Sequence, residues 1–246
     1  MRFACVLALV SLAACEAKLG GRAGDDDALD LVDAPTVTNE PPIDAPACFN
    51  GRVVYLNFDG VALTRGAASD ATLNRASWMQ IASGSAPIYR AGDGNRVAQI
   101  TEIIDGVRAA LEQFPITVVT TRPTSGEYVM IVYGGTAAQV GSRFSVAVQE
   151  LDCGDLQRND VGWMSDANTG IRAINNTLGA IGFGLGLTAT TDPNDCMCSW
   201  DNQCTPDQTK LCTLTPGIAR DPNARQRCAG LTQQDEVATF RTGFCQ

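Results

Sequence analysis

Cysteines constrain what this chain can fold into more than any other residue type, because six of the ten lie between residues 196 and 245. Cys5 and Cys15 lie in or directly after an apolar N-terminal segment, which leaves eight for the rest of the chain. In an exported domain, an even number of cysteines predicts up to four disulfides, whose connectivity the spacing alone cannot give. The candidates are Cys48, Cys153, Cys196, Cys198, Cys204, Cys212, Cys228 and Cys245.

A thiolate metal site is the alternative for four of these cysteines. Their spacing contains no pair of C-x-x-C knuckles of the kind that holds structural zinc. An oxidising compartment also disfavours free thiols, so the sequence favours disulfides. The four residues are Cys196, Cys198, Cys204 and Cys212.

The first 15 residues predict export. Arg2 precedes an apolar run over residues 3–14, which is too short to span a bilayer as a helix. The run ends in Leu-Ala-Ala-Cys, which resembles a bacterial lipobox and predicts a signal peptide over residues 1–14 and a lipid-bearing Cys15. The resemblance implies a stable membrane tether in the bacterial cell envelope, on the periplasmic or extracellular side. An ordinary secretory signal and a buried helix are the alternatives.

Residues 15–46 predict a disordered acidic linker. Residues 16–46 hold eight carboxylates against Lys18 and Arg22, a net charge of −6 out of −9 for the whole chain, together with four prolines. Such a stretch buries too little apolar surface to offset its own ordering entropy. The rest of the chain is only mildly acidic, and neither part has the basic character that nucleic-acid binding requires.

The following residues predict one domain over 47–200, with residues 201–246 as its cysteine-rich extension. Apolar residues recur at helical spacing over 97–114, a second helix is predicted over 172–183, and a short one near 234–240. Residues 61–93 are predicted to be mainly loop. This order predicts an α+β fold with a mixed twisted sheet, a long helix, a second helix and a disulfide-rich tail. The predicted strands cover residues 52–59, 116–121, 128–133, 144–151 and 161–164.

The chain contains no histidine. Imidazole ligands are therefore excluded, as are Ser-His-Asp and Cys-His nucleophiles of the usual kind. Asp192, Asn194 and Asp195 offer oxygen ligands of the type that calcium prefers, although Asp-Pro-Asn-Asp is more typical of a turn. The three tryptophans, Trp78, Trp163 and Trp200, are expected to anchor core or loop rather than to bind ligand.

Residues 172–198 resemble the active-site segment of a matrixin-like metzincin zinc peptidase, whose pattern is H-E-x-x-H-x-x-G-x-x-H followed by a methionine turn. When Gly186 is placed on the glycine of the pattern, Met197 lies eight residues beyond the last histidine position. The ligand and base positions then fall on Gly179, Ala180, Phe183 and Ala189, none of which can do that chemistry.

The resemblance implies a zincin-like fold whose zinc site is lost. It implies a catalytically inactive pseudoenzyme that needs no cofactor and has a binding role, with a protein or peptide ligand, or a structural role. Phe183, with Ala180 and Ala189, is expected to fill with apolar atoms the space that a metal shell would occupy.

Three alternatives stay open. The chain is an active zinc-dependent endopeptidase that holds zinc through carboxylates or through Cys196 and Cys198, or it is an unrelated envelope scaffold. The stretch around residues 178–187 is also explained by a glycine-rich buried helix without protease ancestry.

Overall fold

A sheet of five strands organises the protein, and the computed structural model that shows it describes residues 51–201 and 203–244. The described residues belong to one compact unit. The strands are β1 (Val53–Asn57), β2 (Val61–Arg65), β3 (Arg75–Ala76), β4 (Ser83–Ala86), β5 (Thr117–Val119), β6 (Tyr128–Tyr133), β7 (Ala147–Val148), β8 (Val161–Met164), β9 (Ile218–Ala219) and β10 (Gln233–Gln234). The α-helices are α1 (Arg96–Leu111), α2 (Ala137–Val140), α3 (Gly170–Gly184) and α4 (Glu236–Gly243).

The main sheet has the strand order β5-β1-β6-β8-β7. All neighbours pair in parallel except β7, which runs antiparallel to β8 at one edge. The central strand β6 is buried at all six positions, in keeping with a continuous apolar run that packs on both faces. The architecture confirms the predicted mixed sheet of an α+β fold.

Two apolar clusters cover the two faces of this sheet. On one face, Val54 and Leu56 of β1 pack with residues of α1 and α3. On the other face, Tyr55 packs with Trp78 and Trp163 in a second cluster. The alternation along β1 follows from side chains that point to opposite faces of a strand.

The helices α1 and α3 cross closely because α1 has a glycine at the crossing. A Cβ atom added at Gly106 would overlap the side chain of Ile174. This contact sets the orientation of α3 against α1. It therefore also determines which residues of α3 face away from α1.

Several sequence predictions hold and others need correction. Strands over 128–133 and 161–164 are confirmed at their predicted bounds, and α1 ends three residues earlier than predicted. The predicted strand over 144–151 shortens to β7, and one further bond, from Ser165 N to Val146 O, extends its ladder with β8. Residues 61–93 lie mainly outside strands, as predicted, but they also hold a small sheet of order β3-β2-β4 that the sequence did not indicate. Its strands are short and bury few side chains, which leaves little apolar alternation to detect.

Among the described residues, three disulfides tie the C-terminal part together: Cys153–Cys228, Cys196–Cys212 and Cys198–Cys204. The last two use all four cysteines of the alternative thiolate site, so none of those sulfurs is a free thiolate. The predicted residues Cys15, Cys48 and Cys245, and the predicted signal peptide and linker, lie outside the described residues. Within the described part of the chain, every helix falls short of the length and apolarity needed to cross a membrane.

Candidate functional site

The helix α3 and the turn after it carry the residues that the sequence singled out. The backbone reverses at the helix end through two bonds, in which Gly186 N donates to Phe183 O at 3.1 Å and Leu187 N to Gly182 O at 2.9 Å. Gly186 has φ +84°, and an added Cβ would lie 2.9 Å from Asp152 O. Glycine is therefore needed at this position for both its left-handed backbone and its close approach.

Met197 lies under α3, where the resemblance expects the turn methionine. It is fully buried, and its sulfur lies 2.8 Å from the place of a Cβ added at Gly182. Asp195 holds this turn, because its Oδ1 accepts from Met197 N at 2.9 Å. The segment leading away from the helix runs beside the same turn, with Thr190 N donating to Met197 O.

The indole of Trp200 occupies the space beside α3 at the first ligand position. A Cβ added at Gly179 would overlap Trp200 Nε1 and would lie 2.7 Å from Cys196 O. Phe183 is 1 % exposed, and its ring centroid lies 5.4 Å from that of Trp200. Phe183, Trp200 and Met197 belong to one buried apolar cluster.

The two alanine positions are also buried and offer only methyl groups. Ala180 packs toward β8, where its Cβ lies 3.6 Å from the place of a Cβ added at Gly162. Ala189 is tied through its backbone, since its carbonyl accepts from Asp221 N at 2.7 Å. Methyl groups cannot donate a lone pair, and beside Gly179 the volume is filled by the indole of Trp200. The residues present do not fit a zinc ion.

A groove opens next to this packed region. Its volume is about 400 Å³, and its floor includes Phe183 and Trp200. One wall is the edge strand β7 with residues 144–149, and the other comes from residues within 199–208 and 225–226. α3 closes one end through Arg172 and Asn176. Sequence reasoning placed Trp200 only as an anchor, because nothing local to it shows that it meets α3.

The edge of β7 presents backbone groups to this groove. Ser165 N donates to Val146 O at 2.8 Å, which makes Val146 and Ser165 a hydrogen-bonded antiparallel pair. Such pairs alternate along a ladder, so Ala147 directs its N–H and C=O away from β8. β7 is the last strand in the sheet order, and this edge can accept a further strand.

The charged residues of the groove are few. Arg225 Nη2 lies 2.9 Å from Asp201 Oδ1, and that pair is internally neutral. Arg172 has a buried Nε for which the described residues supply no hydrogen-bond acceptor. The sequence did not predict Arg172 as a charged residue that could contact a ligand. Arg172 lies in a helix, and the sequence does not show which face of that helix is exposed.

A group of three aspartates lies behind the groove, and sequence reasoning missed it. Carboxylate oxygens of Asp152, Asp155 and Asp160 lie within 4.8 Å of one another. Asp155 pairs with Arg52 and with Arg158, each at 2.6 Å. Burial raises the pKa of Asp155 against the opposing effect of these two arginines, and burial raises the pKa of Asp160 far more. Two guanidinium groups thus balance the cluster, which is the arrangement of an internal ion network.

A buried carboxyl pair supports the turn that holds Met197. Glu236 begins α4 and is fully buried, and its Oε2 accepts from Thr215 N at 3.0 Å. Burial first, and then the neighbouring Asp195 carboxylate, raise the pKa of Glu236 to about 8. Asp195 and Asp192 also cap their own turns, since Asp192 Oδ1 accepts from Asn194 N. This is the turn role that the Asp-Pro-Asn-Asp sequence favours over calcium binding.

Comparison of the sequence with profiles of known protein families and with curated proteins found no match.

Proposed function

We propose that this protein is a catalytically inactive, metzincin-like lipoprotein of the bacterial envelope that binds an extended peptide or protein segment in the groove between β7 and α3. The observation that carries the proposal is the meeting of Trp200 with Gly179 and Phe183. Gly179 stands at the position of the first metal ligand, and its lack of a side chain lets the indole of Trp200 pack against the helix. In this proposal, a hydrophobic contact occupies the place of the reaction centre.

The order of elements supports the family resemblance. A strand, the long helix α1, further strands of a mixed sheet, α3 and a methionine turn beneath it follow one another as the sequence analysis expects. Gly186 and Met197 keep the frame of the turn, while Gly179, Ala180, Phe183 and Ala189 have no catalytic chemistry. The envelope location depends on Cys15, which lies outside the described residues.

Peptide binding is supported by the groove itself. The outward N–H and C=O of Ala147 can pair with an added strand, a common mode of peptide recognition in which main-chain bonds give affinity and side-chain pockets give specificity. Phe183 and Trp200 supply an apolar floor, and polar side chains line the rim. This combination is typical of a binding site that orients its ligand with a few polar groups.

Metal analysis tests the loss of catalysis. The full-length protein, purified in detergent and dialysed against buffer containing zinc and then against buffer without it, is expected to retain far less than one zinc per chain by mass spectrometry. One tightly held zinc per chain, or a peptidase activity that a chelator abolishes, would overturn the proposal.

Installing the missing ligands gives a sharper version of the same test. Gly179→His, Ala180→Glu, Phe183→His and Ala189→His are combined with Trp200→Ala, because the indole would otherwise block the new imidazole. A gain of zinc affinity over the Trp200→Ala variant alone is the expected result. A variant that folds and gains none contradicts the frame that we assign to residues 179–197.

The groove is tested with peptides. Pools of fluorescein-labelled heptapeptides of random sequence are expected to raise the fluorescence anisotropy of the label when the protein is added. Ala147→Pro removes the N–H that faces the groove and is expected to weaken this binding. Thermal unfolding checks that the variant is folded, and equal binding by a folded Ala147→Pro variant would contradict strand addition at β7.

A further inference from the structure

Arg172 lines the groove, and among the described residues no acidic side chain forms an ion pair with it. It lies in the first turn of α3 and lines the groove together with Asn176 and Gln208. Its Nε is buried, and no acceptor among residues 51–201 and 203–244 lies within hydrogen-bond range of it. A buried donor without an acceptor costs free energy, and the cost is greatest for charged groups.

The other charges in the groove do not offset it. Asp201 is the acidic residue of the lining. Its Oδ1 lies 2.9 Å from Arg225 Nη2, and its buried Oδ2 has no hydrogen-bond partner among the described residues. The groove therefore carries a net charge of +1 from Arg172, in a chain whose net charge is −9. This local sign is opposite to that of the whole molecule, so it favours a ligand group of negative charge.

The guanidinium fork suits one chemistry in particular. Its planar donors match the two oxygens of a carboxylate, and such charge-assisted pairs are among the strongest hydrogen bonds in proteins. The surrounding side chains on the floor, Phe183 and Trp200, are apolar and reduce the competition from water.

We propose that the groove selects an extended peptide that carries a carboxylate, and that this carboxylate binds Arg172. The inference depends on the proposed function, since it names the ligand chemistry of the same groove. The carboxylate comes either from an Asp or Glu side chain or from a peptide C-terminus, and the experiment separates these two sources.

Heptapeptide pools with a fixed central residue test the proposal by fluorescence anisotropy with the full-length protein in detergent. The pools carry Glu or Gln at the centre, each with a free or an amidated C-terminus. We expect a pool with a carboxylate to bind about 10-fold to 100-fold more tightly than the amidated Gln pool, the range for a hydrogen bond to a charged group. Preference for Glu in amidated pools identifies a side chain, and preference for the free terminus in Gln pools identifies a C-terminus.

Variants then assign the preference to one residue. Arg172→Gln is expected to bind all four pools at the level of the amidated Gln pool, and Arg172→Lys to retain part of the preference. Arg65→Gln removes the same charge from β2, outside the groove lining, and is expected to keep the full preference.

The outcomes separate the two proposals. If no pool binds the wild-type protein, the proposed peptide-binding function fails. If all pools bind equally, or if Arg172→Gln keeps the preference, the groove still binds peptides but the carboxylate proposal is overturned.

Discussion

The two sides of α3 are built in opposite ways. Toward Met197 and Trp200, the helix uses Gly179 and Gly182 to bring side chains and backbone into direct contact. Toward β7, the same helix borders a groove of about 400 Å³ that contains an unbalanced arginine. Trp200 separates the two sides. The side of α3 toward Met197 is therefore closed by packing, whereas the side toward β7 stays open.

The largest effect is expected where Phe183 is removed from the closed side. Phe183→Ala is predicted to lower the free energy of unfolding by about 3–5 kcal/mol, because a fully buried ring leaves a cavity next to Trp200. Urea denaturation measures the loss. Phe144→Ala, on the half-buried groove wall, serves as the control and is expected to cost much less. Equal losses for the two variants would show that the closed and open sides do not differ.

Two of the disulfides allow stability and peptide binding to be compared, because one of them closes a long loop and the other borders the groove. Replacing Cys153 and Cys228 by Ser opens a loop with a sequence separation of 75, whereas Cys198–Cys204 closes a separation of 6. Chain entropy predicts losses of about 4 and about 2 kcal/mol respectively.

Both disulfide variants are measured by urea denaturation, with non-reducing mass spectrometry to verify the remaining disulfides. Cys204 also lines the groove, so the smaller stability loss is expected to come with the larger change in peptide binding. The comparison is contradicted if the Cys153–Cys228 variant changes binding more than the Cys198–Cys204 variant at temperatures where both are folded.

Gly179→Ala tests how tightly the closed side is packed. The added methyl meets the indole ring of Trp200 and the carbonyl of Cys196, neither of which can move freely. Overpacking of this kind costs roughly 1–3 kcal/mol, less about 1 kcal/mol from the better helix propensity of alanine. Because the overlap with the indole is severe, we expect the upper end of this range, a net loss of about 2 kcal/mol in urea denaturation.

Gly182→Ala is the matched control for that variant. Its methyl would lie closest to the flexible ends of Met197, at 2.8 Å, and Leu187, at 3.2 Å, so the loss is expected to be smaller. In a Trp200→Phe background, which removes the indole nitrogen, the cost of Gly179→Ala is expected to fall. If the two glycine variants cost the same and the background has no effect, Trp200 is not what fills the space beside Gly179.

Much of the fold was predictable because its signals are local. The apolar runs over 128–133 and 161–164 mark strands buried on both faces, and the helical spacing over 97–114 marks α1. The small sheet of β2, β3 and β4 was missed because its strands bury few residues, so no alternation distinguishes it from loop.

The candidate site divides in the same way. The absence of ligands at Gly179, Ala180, Phe183 and Ala189 is visible in the sequence, since residue types alone exclude that chemistry. What replaces them is not visible, because Trp200 lies 17 residues beyond Phe183 and meets it only in the folded chain. The groove and Arg172 were missed for the same reason, since partners and their absence are properties of tertiary structure.

The last prediction concerns how the free energy of unfolding depends on pH through the carboxyl group that supports the closed side. Asp195 holds the Met197 turn under α3, and Glu236 lies against Asp195 with its pKa raised to about 8 by burial and by that carboxylate. A carboxyl whose pKa is higher in the folded than in the unfolded state stabilises the fold fully below the unfolded value, near 4.5. That contribution is lost as the pH rises through about 8.

We therefore expect the wild-type protein to lose stability between pH 5 and pH 9 relative to Glu236→Gln. The difference should reach at least about 1.4 kcal/mol, the value of one pKa unit, in urea denaturation at several pH values. Glu236 accepts from both Thr215 N and Gln234 Nε2, and Gln can keep only one of these two bonds. The variant removes the titration, so the test compares the change in stability with pH and not the absolute stability. Because the groove does not include Glu236, peptide binding by the folded proteins is expected to be alike at pH 7. Parallel pH profiles for the two proteins would contradict the raised pKa of Glu236, because its carboxyl would then titrate alike in the folded and the unfolded state.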